Sequence, residues 1–231
     1  FMTKTFEGAF PVLITPMNED FSVNYEGMKE NVKYYLDLKV PGIIIVGSTG
    51  EFASLDDDEK QKIIELVGEM VKDSETQLLI GIADERTSKV LEYAKVAEAN
   101  NADGLLLINS FYQTPTEEEA FEQFKEVNDA VSLPIMMYNN PFTANVNLEN
   151  ETIYKIDKEL DKVQYIKESS GDIRKVRAII NNTDFVFFCG SDDLAYESFV
   201  LGATGWVSVA ANIAPNSAQK LYELVKAGQF E

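Results

Sequence analysis

The chain of 231 residues contains no histidine and a single cysteine, Cys189. Without histidine there is no Ser-His triad, no imidazole general base and no His-ligated metal site. One thiol allows neither an internal disulfide nor a thiolate cluster, and a reducing cytoplasm is the expected compartment. Cations are scarce too: 20 Lys and Arg stand against 39 Asp and Glu, a formal charge of −19. Nucleic acids and anionic membranes both call for a basic footprint, so neither is an expected partner. No apolar run approaches the roughly 20 residues of a membrane helix. The start, "FMTKTFEGAF", lacks the apolar core of a signal peptide, and Phe1 before Met2 reads as an added residue. If the chain is an enzyme, its chemistry falls to Lys, Tyr, Ser, Thr, Asp, Glu and backbone amides.

What is present is 45% hydrophobic and 26% charged, enough apolar material for a substantial core. Eight apolar runs recur: "AFPVLIT" (9–15), "GIIIVGS" (42–48), "LLIGIA" (78–83), "GLLLINS" (104–110), "PIMMYNN" (134–140), "VQYIKES" (163–169), "FVFFCGS" (185–191) and "GWVSVAA" (205–211). Most are apolar on both faces, as parallel strands covered by helices should be. Amphipathic stretches lie between them. Residues 56–73 and 116–131 open with acids that suit a helix N-terminus, and 25–39 and 87–101 have helical periodicity. The pair Asn100–Asn101 suits a left-handed helix end. Alternation repeated eight times predicts a closed (β/α)8 TIM barrel, as one domain over residues 2–231. An open doubly wound sheet competes, but it usually carries a Gly-rich turn after its first strand, and "ITPMNED" is not one.

Barrel sites lie at the C-terminal ends of the strands. There Lys167 stands out as the one cation inside a strand, in "VQYIKESSGD". Alternation puts Val163, Tyr165 and Lys167 on one face and Ile166 on the other. A Lys in an apolar strand is costly unless paired, neutral or chemically employed. Desolvated, it can be a neutral amine that forms a Schiff base with a ketone. Paired with Glu51 or Glu168, it is structural. Position alone leaves both readings open. "GSTGE" (47–51) offers free amides for a carboxylate or phosphate, or it is a plain turn. Tyr138 is a candidate proton carrier, or a packed aromatic with a satisfied hydroxyl. Asp192 and Asp193 resemble metal ligands, but "SDDLAYESF" reads better as a turn and helix cap.

Four stretches fall in order across nearly the whole chain: "GSTGEFASL" (47–55), "YNNP" (138–141), "IKESSGD" (166–172) and "GSDDLAYESFVLGATGWVSVAANIAP" (190–215). In these the chain resembles the dihydrodipicolinate synthase / N-acetylneuraminate lyase family of class I aldolases. The resemblance implies that Lys167 is the Schiff-base lysine and Tyr138 the proton shuttle. Ser48 and Thr49 then hold the keto acid carboxylate, with Gly190, Thr143 and Val207 also touching substrate. Tyr112 would reach a neighbouring site across a dimer contact and complete a relay with Tyr138 and Ser48 or Thr49. It implies a homodimer or a dimer-of-dimers tetramer, and no metal or organic cofactor beyond the covalent imine on Lys167. Family members also continue with a C-terminal helical segment, most of which is expected to be missing here.

Two departures bear on substrate. Synthases that condense pyruvate with aspartate semialdehyde usually carry an Arg where this chain has Thr143, and a Thr-Gly pair where it has Ala144–Asn145. "YNNP" and "GATGW" look more like members that dehydrate or deaminate keto-acid-type substrates. The leading expectation is therefore a Schiff-base lyase or hydro-lyase on pyruvate or a small 2-keto acid. The alternatives are dihydrodipicolinate synthase itself, with Thr143 or Arg86 in place of the usual clamp, and a non-catalytic keto-acid-binding barrel.

Overall fold

The computed structural model describes residues 5–230; residues 1–4 and 231, at the two ends of the expected domain, lie outside it. Eight strands alternate with helices: β1 (Gly8–Pro11), β2 (Gly42–Ile45), β3 (Gln77–Ile82), β4 (Gly104–Ile108), β5 (Ile135–Asn139), β6 (Val163–Glu168), β7 (Val186–Cys189) and β8 (Gly205–Ser208). All neighbours pair in parallel in the order β1-β8-β7-β6-β5-β4-β3-β2. A parallel bridge between Val12 and Ile44 joins β1 to β2 and closes the ring. The (β/α)8 barrel is therefore as expected, with strands shorter than the apolar runs that signal them. The leftover C-terminal residues of those runs become the loops that build the site.

The principal helices are α1 (Tyr25–Asp37), α2 (Asp57–Val71), α3 (Thr87–Ala99), α4 (Glu117–Ala130), a single turn α5 (Pro141–Ala144), α6 (Asn150–Glu159), α7 (Ile173–Asn182), α8 (Ala195–Leu201) and α9 (Pro215–Lys226). Their starts follow from the sequence. Thr116 Oγ1 accepts from Glu119 N–H at 3.2 Å while Glu119 accepts from Thr116 N–H at 2.8 Å, a reciprocal cap for α4. Past the end of α3, Asn101 takes the left-handed conformation, with φ 59°. No helix among the described residues is long and apolar enough to cross a membrane.

Burial falls into two layers. The larger lies between strands and helices and includes Ile43, Ile80, Leu105 and Ile166. The smaller fills the barrel and includes Phe10, Leu79, Met136, Tyr165 and Phe188. Phe10 and Phe188 meet edge to face at 5.3 Å, and Phe6 stacks on Tyr165 at 4.5 Å. They fit because β2 and β8 begin with glycine: a Cβ on Gly42 or Gly205 would lie 2.2 Å from the Phe10 or Phe188 ring. This aromatic floor closes the barrel below the site.

One strand departs from simple alternation. Val163 belongs to the outer layer, not to the face of Tyr165 and Lys167. The register against β5 shifts between Ile135 and Met136, leaving Gln164 as an exposed extra residue. The bulge resets the faces, and only from Tyr165 onward does alternation hold.

Candidate active site

Lys167 stands next to last in β6, opposite Tyr138 on β5 and Phe188 on β7. It is 7% exposed. Its Nζ lies 3.7 Å from the centre of the Tyr138 ring. Neither carboxylate expected as a structural partner reaches it. Glu168 points to the opposite face of the strand, where it accepts from Asn139 Nδ2 at 2.7 Å and from the Ser170 N–H. Glu51 sits on the exposed loop after β2. Among the described residues no ion pair involves Lys167. A buried, carboxylate-free amine is what nucleophilic use requires.

The phenol beside it is tuned. Burial pushes the Tyr138 pKa up, but the charge on Lys167, and hydrogen bonding from Lys167, Ser169 and Asn140, outweigh this and hold it below the ordinary phenol value. The best formed of these bonds runs from Asn140 Nδ2 to the phenolic oxygen at 2.7 Å. The Ser169 hydroxyl is buried without a well-aligned partner, close enough to the phenol to contribute.

Beyond β2 the chain turns sharply. Gly50 N–H donates to the Gly47 carbonyl and Glu51 N–H to the Ser48 carbonyl, each at 3.0 Å. These bonds leave the Ser48 and Thr49 N–H groups without an intrachain partner among the described residues. Two neighbouring free amides can hold a carboxylate. The turn is entered through Val46 at φ 55°, a conformation a β-branched residue takes only under constraint.

Ser48, Thr49, Tyr138, Lys167, Gly190 and Val207 line one cavity of about 90 Å³, whose remaining wall is largely apolar. Six residues from four separate motifs thus converge at the C-terminal end of the barrel. A far larger hollow, about 860 Å³, opens at the opposite end beside Thr5, Pro41 and Thr76. It gathers residues of none of the four motifs, and size alone does not make it the site. Thr143 lies outside the main cavity but lines an adjoining pocket of about 270 Å³ with Ser48, Glu51, Phe52 and Phe111. Arg86 pairs with Asp84 at 3.5 Å and lines neither hollow among the described residues.

Tyr112 is 79% exposed and lines neither pocket. Within this chain it makes no hydrogen bond to Tyr138, Ser48 or Thr49 among the described residues. Its loop is nonetheless fixed: the Glu85 carboxylate accepts from the N–H groups of Phe111, Tyr112 and Gln113 at 2.9, 2.8 and 3.4 Å. Phe111 turns inward against Phe52, with ring centres 5.8 Å apart.

Asp192 is neither a cap nor a free ligand. Its carboxylate accepts from Trp206 Nε1, Ser208 Oγ, Val209 N–H and Ala210 N–H, between 2.9 and 3.3 Å. It ties the start of the β7–α8 loop to the end of β8, where Val207 and Val209 wall the cavity. Sequence reasoning also missed the polar network behind Lys167. There buried Lys175 on α7 donates to Asn147 Oδ1 at 2.9 Å and to the Leu148 carbonyl. Asn139 links this end to Glu168, receiving Leu148 N–H on its Oδ1 at 3.1 Å.

Comparison with known proteins agrees with this geometry. Residues 5–231 match the model of the dihydrodipicolinate synthetase family. A 4-hydroxy-tetrahydrodipicolinate synthase of Methanococcus maripaludis is 34% identical over 225 residues, covering 97% of this chain and 77% of the relative. One of Methanopyrus kandleri is 35% identical over 228 residues, covering 97% and 76%. A crystal structure of a dihydrodipicolinate synthase superposes with TM-score 0.93 at 32% identity, over 97% of this chain and 77% of that one. The chloride-inhibited dihydrodipicolinate synthase of Acinetobacter baumannii, complexed with pyruvate, superposes with TM-score 0.93 at 29% identity, over 98% and 78%. This chain belongs to the dihydrodipicolinate synthetase family, a family of lyases.

Proposed function

We propose that the chain forms an imine between Lys167 and pyruvate or a closely similar 2-keto acid, then joins the resulting enamine to an aldehyde. This is the synthase reading, carried by the names of its relatives. The observation that carries the chemistry is the Lys167 amine, buried without a carboxylate and stacked over Tyr138.

The steps follow from the groups at hand. The keto acid carboxylate sits on the Ser48 and Thr49 N–H groups, which places its ketone toward Lys167. The neutral amine attacks the ketone carbon, and the carbinolamine loses its hydroxyl as water to give the imine. The imine nitrogen, protonated, withdraws electrons as a proton leaves the adjacent methyl, giving the enamine. The enamine carbon attacks the aldehyde, whose oxygen takes up a proton. Tyr138 carries protons in these steps: beside the charge of Lys167 its phenol ionises more readily, so the phenolate takes a proton from the ammonium and frees the neutral amine, and the same group returns one. Hydrolysis of the product imine frees Lys167.

A second reading has its own support. The adjoining pocket offers Thr143, Glu51 and two aromatic rings, with no cation among its described lining residues to grip a second carboxylate. That favours a dehydratase or deaminase acting on a single keto-acid-type substrate. Assembly with Tyr112 at a shared contact belongs to the proposal in either case.

Borohydride reduction in the presence of pyruvate, read by intact mass, tests the chemistry. A covalent adduct is expected, and Lys167→Ala should abolish it. An adduct that persists on another lysine sinks the assignment. Turnover of pyruvate with aspartate semialdehyde, against keto-deoxy sugar acids and hydroxypyrroline carboxylate alone, separates the two readings. Trapping without any turnover would instead mark a keto-acid-binding barrel.

A further inference from the structure

Asn140 follows Tyr138 by two residues, just past the end of β5, and its side chain turns to the same side, onto the phenol. Both are buried, at 8% and 7% exposure. The Asn140 amide bridges two groups. Its Oδ1 accepts from the Phe142 N–H at 3.2 Å and caps α5, while its Nδ2 donates to the Tyr138 oxygen at 2.7 Å. The bond from Phe142 settles which end of the amide faces the phenol, because a backbone N–H can meet only the carbonyl end.

We propose that Asn140 is a positioning residue for Tyr138: its locked amide donates to the phenolic oxygen, fixes the hydroxyl at the edge of the ring that covers Lys167 and favours its ionised form. The inference rests on the reading of Tyr138 as proton carrier. A phenolic oxygen that already accepts one hydrogen bond gives up its proton more readily, because the same bond strengthens to the phenolate. The surroundings leave this bond room to matter. Among the described residues Lys167, from β6, is the one charged side chain bearing on the phenol. Ser169, after β6, is neutral, and the facing residue on β4 is Ile108. Glu168 is turned away toward Asn139.

The test is a titration of Tyr138 by NMR, with tyrosine labelled at the ring carbon that bears oxygen and the signal assigned by Tyr138→Phe. Asn140→Leu removes the donor without adding charge or room for water. Asn140→Asp keeps the acceptor for Phe142 but turns the donor into a second acceptor. Both should move the Tyr138 titration upward by about one pH unit, a tenfold change in its ionisation constant and the scale of one lost hydrogen bond to a charged group. The acid limb of the turnover profile should move with it. If Asn140→Leu leaves Tyr138 titrating as in the parent chain, the proposal is overturned, even where Asn140→Asp shifts it by charge alone. Should Asn140→Leu not fold, Asn140→Ser, which retains a cap for α5, decides in the same way. The titration needs no substrate. A shifted phenol with no turnover of any keto acid would therefore support the Asn140 pairing while removing the functional reading beneath it.

Discussion

Lys167 and Tyr138 face each other on adjacent parallel strands, with the amine 3.7 Å from the centre of the ring. The ring covers the amine, and the hydroxyl at its far end is the group proposed to move protons. The two roles separate by mutation. Tyr138→Phe keeps the covering ring, so borohydride trapping of pyruvate should remain measurable. Turnover should fall by roughly 10²–10⁴-fold, the scale of a lost proton-transfer group. Steady-state rates and intact mass on the same sample check this. Unchanged turnover would reduce Tyr138 to packing.

Gly190 is a spatial requirement of the site. A Cβ there would fall 1.9 Å from Ser169 Oγ, beside the phenol. Gly190→Ala should destabilise the fold by about 1–3 kcal/mol, the range for overpacking a filled interior. It should also weaken keto acid binding, since Gly190 lines the cavity. Urea unfolding and pyruvate titration measure the two effects. A variant as stable as the parent would show that Ser169 swings aside freely.

Asp172 gives a pH signature. The Arg174 guanidinium, with its backbone N–H, holds the Asp172 carboxyl down at about 2. A depressed carboxyl stabilises the folded state above its unfolded value near 4, and the contribution fades as pH falls toward 2. Asp172→Asn should leave the Arg174 N–H capped, so that only the charge is lost. The gap in Tm between parent and variant should be small, because the pair is exposed, and should close between about pH 4 and pH 2. A gap independent of pH would assign it to packing.

Tyr112 tests assembly. At 79% exposure, on a loop fixed by Glu85, it is a large aromatic presented to solvent. Such groups are enriched at interfaces. Tyr112→Ala should weaken both self-association and turnover, with activity falling on dilution. Light scattering that finds a fully active monomer at nanomolar concentration would remove Tyr112 from any shared site.

Much of this was legible in the sequence because strands and their ends are local signals. The eight apolar runs gave the barrel, and their C-terminal ends, together with the family resemblance, gave Lys167, Tyr138, Ser48, Thr49, Gly190 and Val207, which line one cavity. What escaped depends on pairing between distant segments. The bulge at Gln164 exists only because β5 sets the register of β6. Asp192 could not be read because its donors lie 14 to 18 residues downstream, on and after β8. Lys175 reads as a surface lysine, since nothing local announces the Asn147 and Leu148 oxygens that bury it. Asn140 was the readable omission. It shares the period-two face of Tyr138, and a second polar group there was a signal.

The aromatic floor has a consequence for traffic. Phe10 and Phe188, neither exposed, and Phe6 at 2% seal the barrel beneath Lys167. The amine therefore has a single doorway, at the mouth rimmed by the loops after the strands. On the proposed chemistry, the water released when the imine forms must leave the way the keto acid came in, and an incoming aldehyde must take the same passage. Arrivals and departures then alternate, and a reactant that lingers in the doorway delays both.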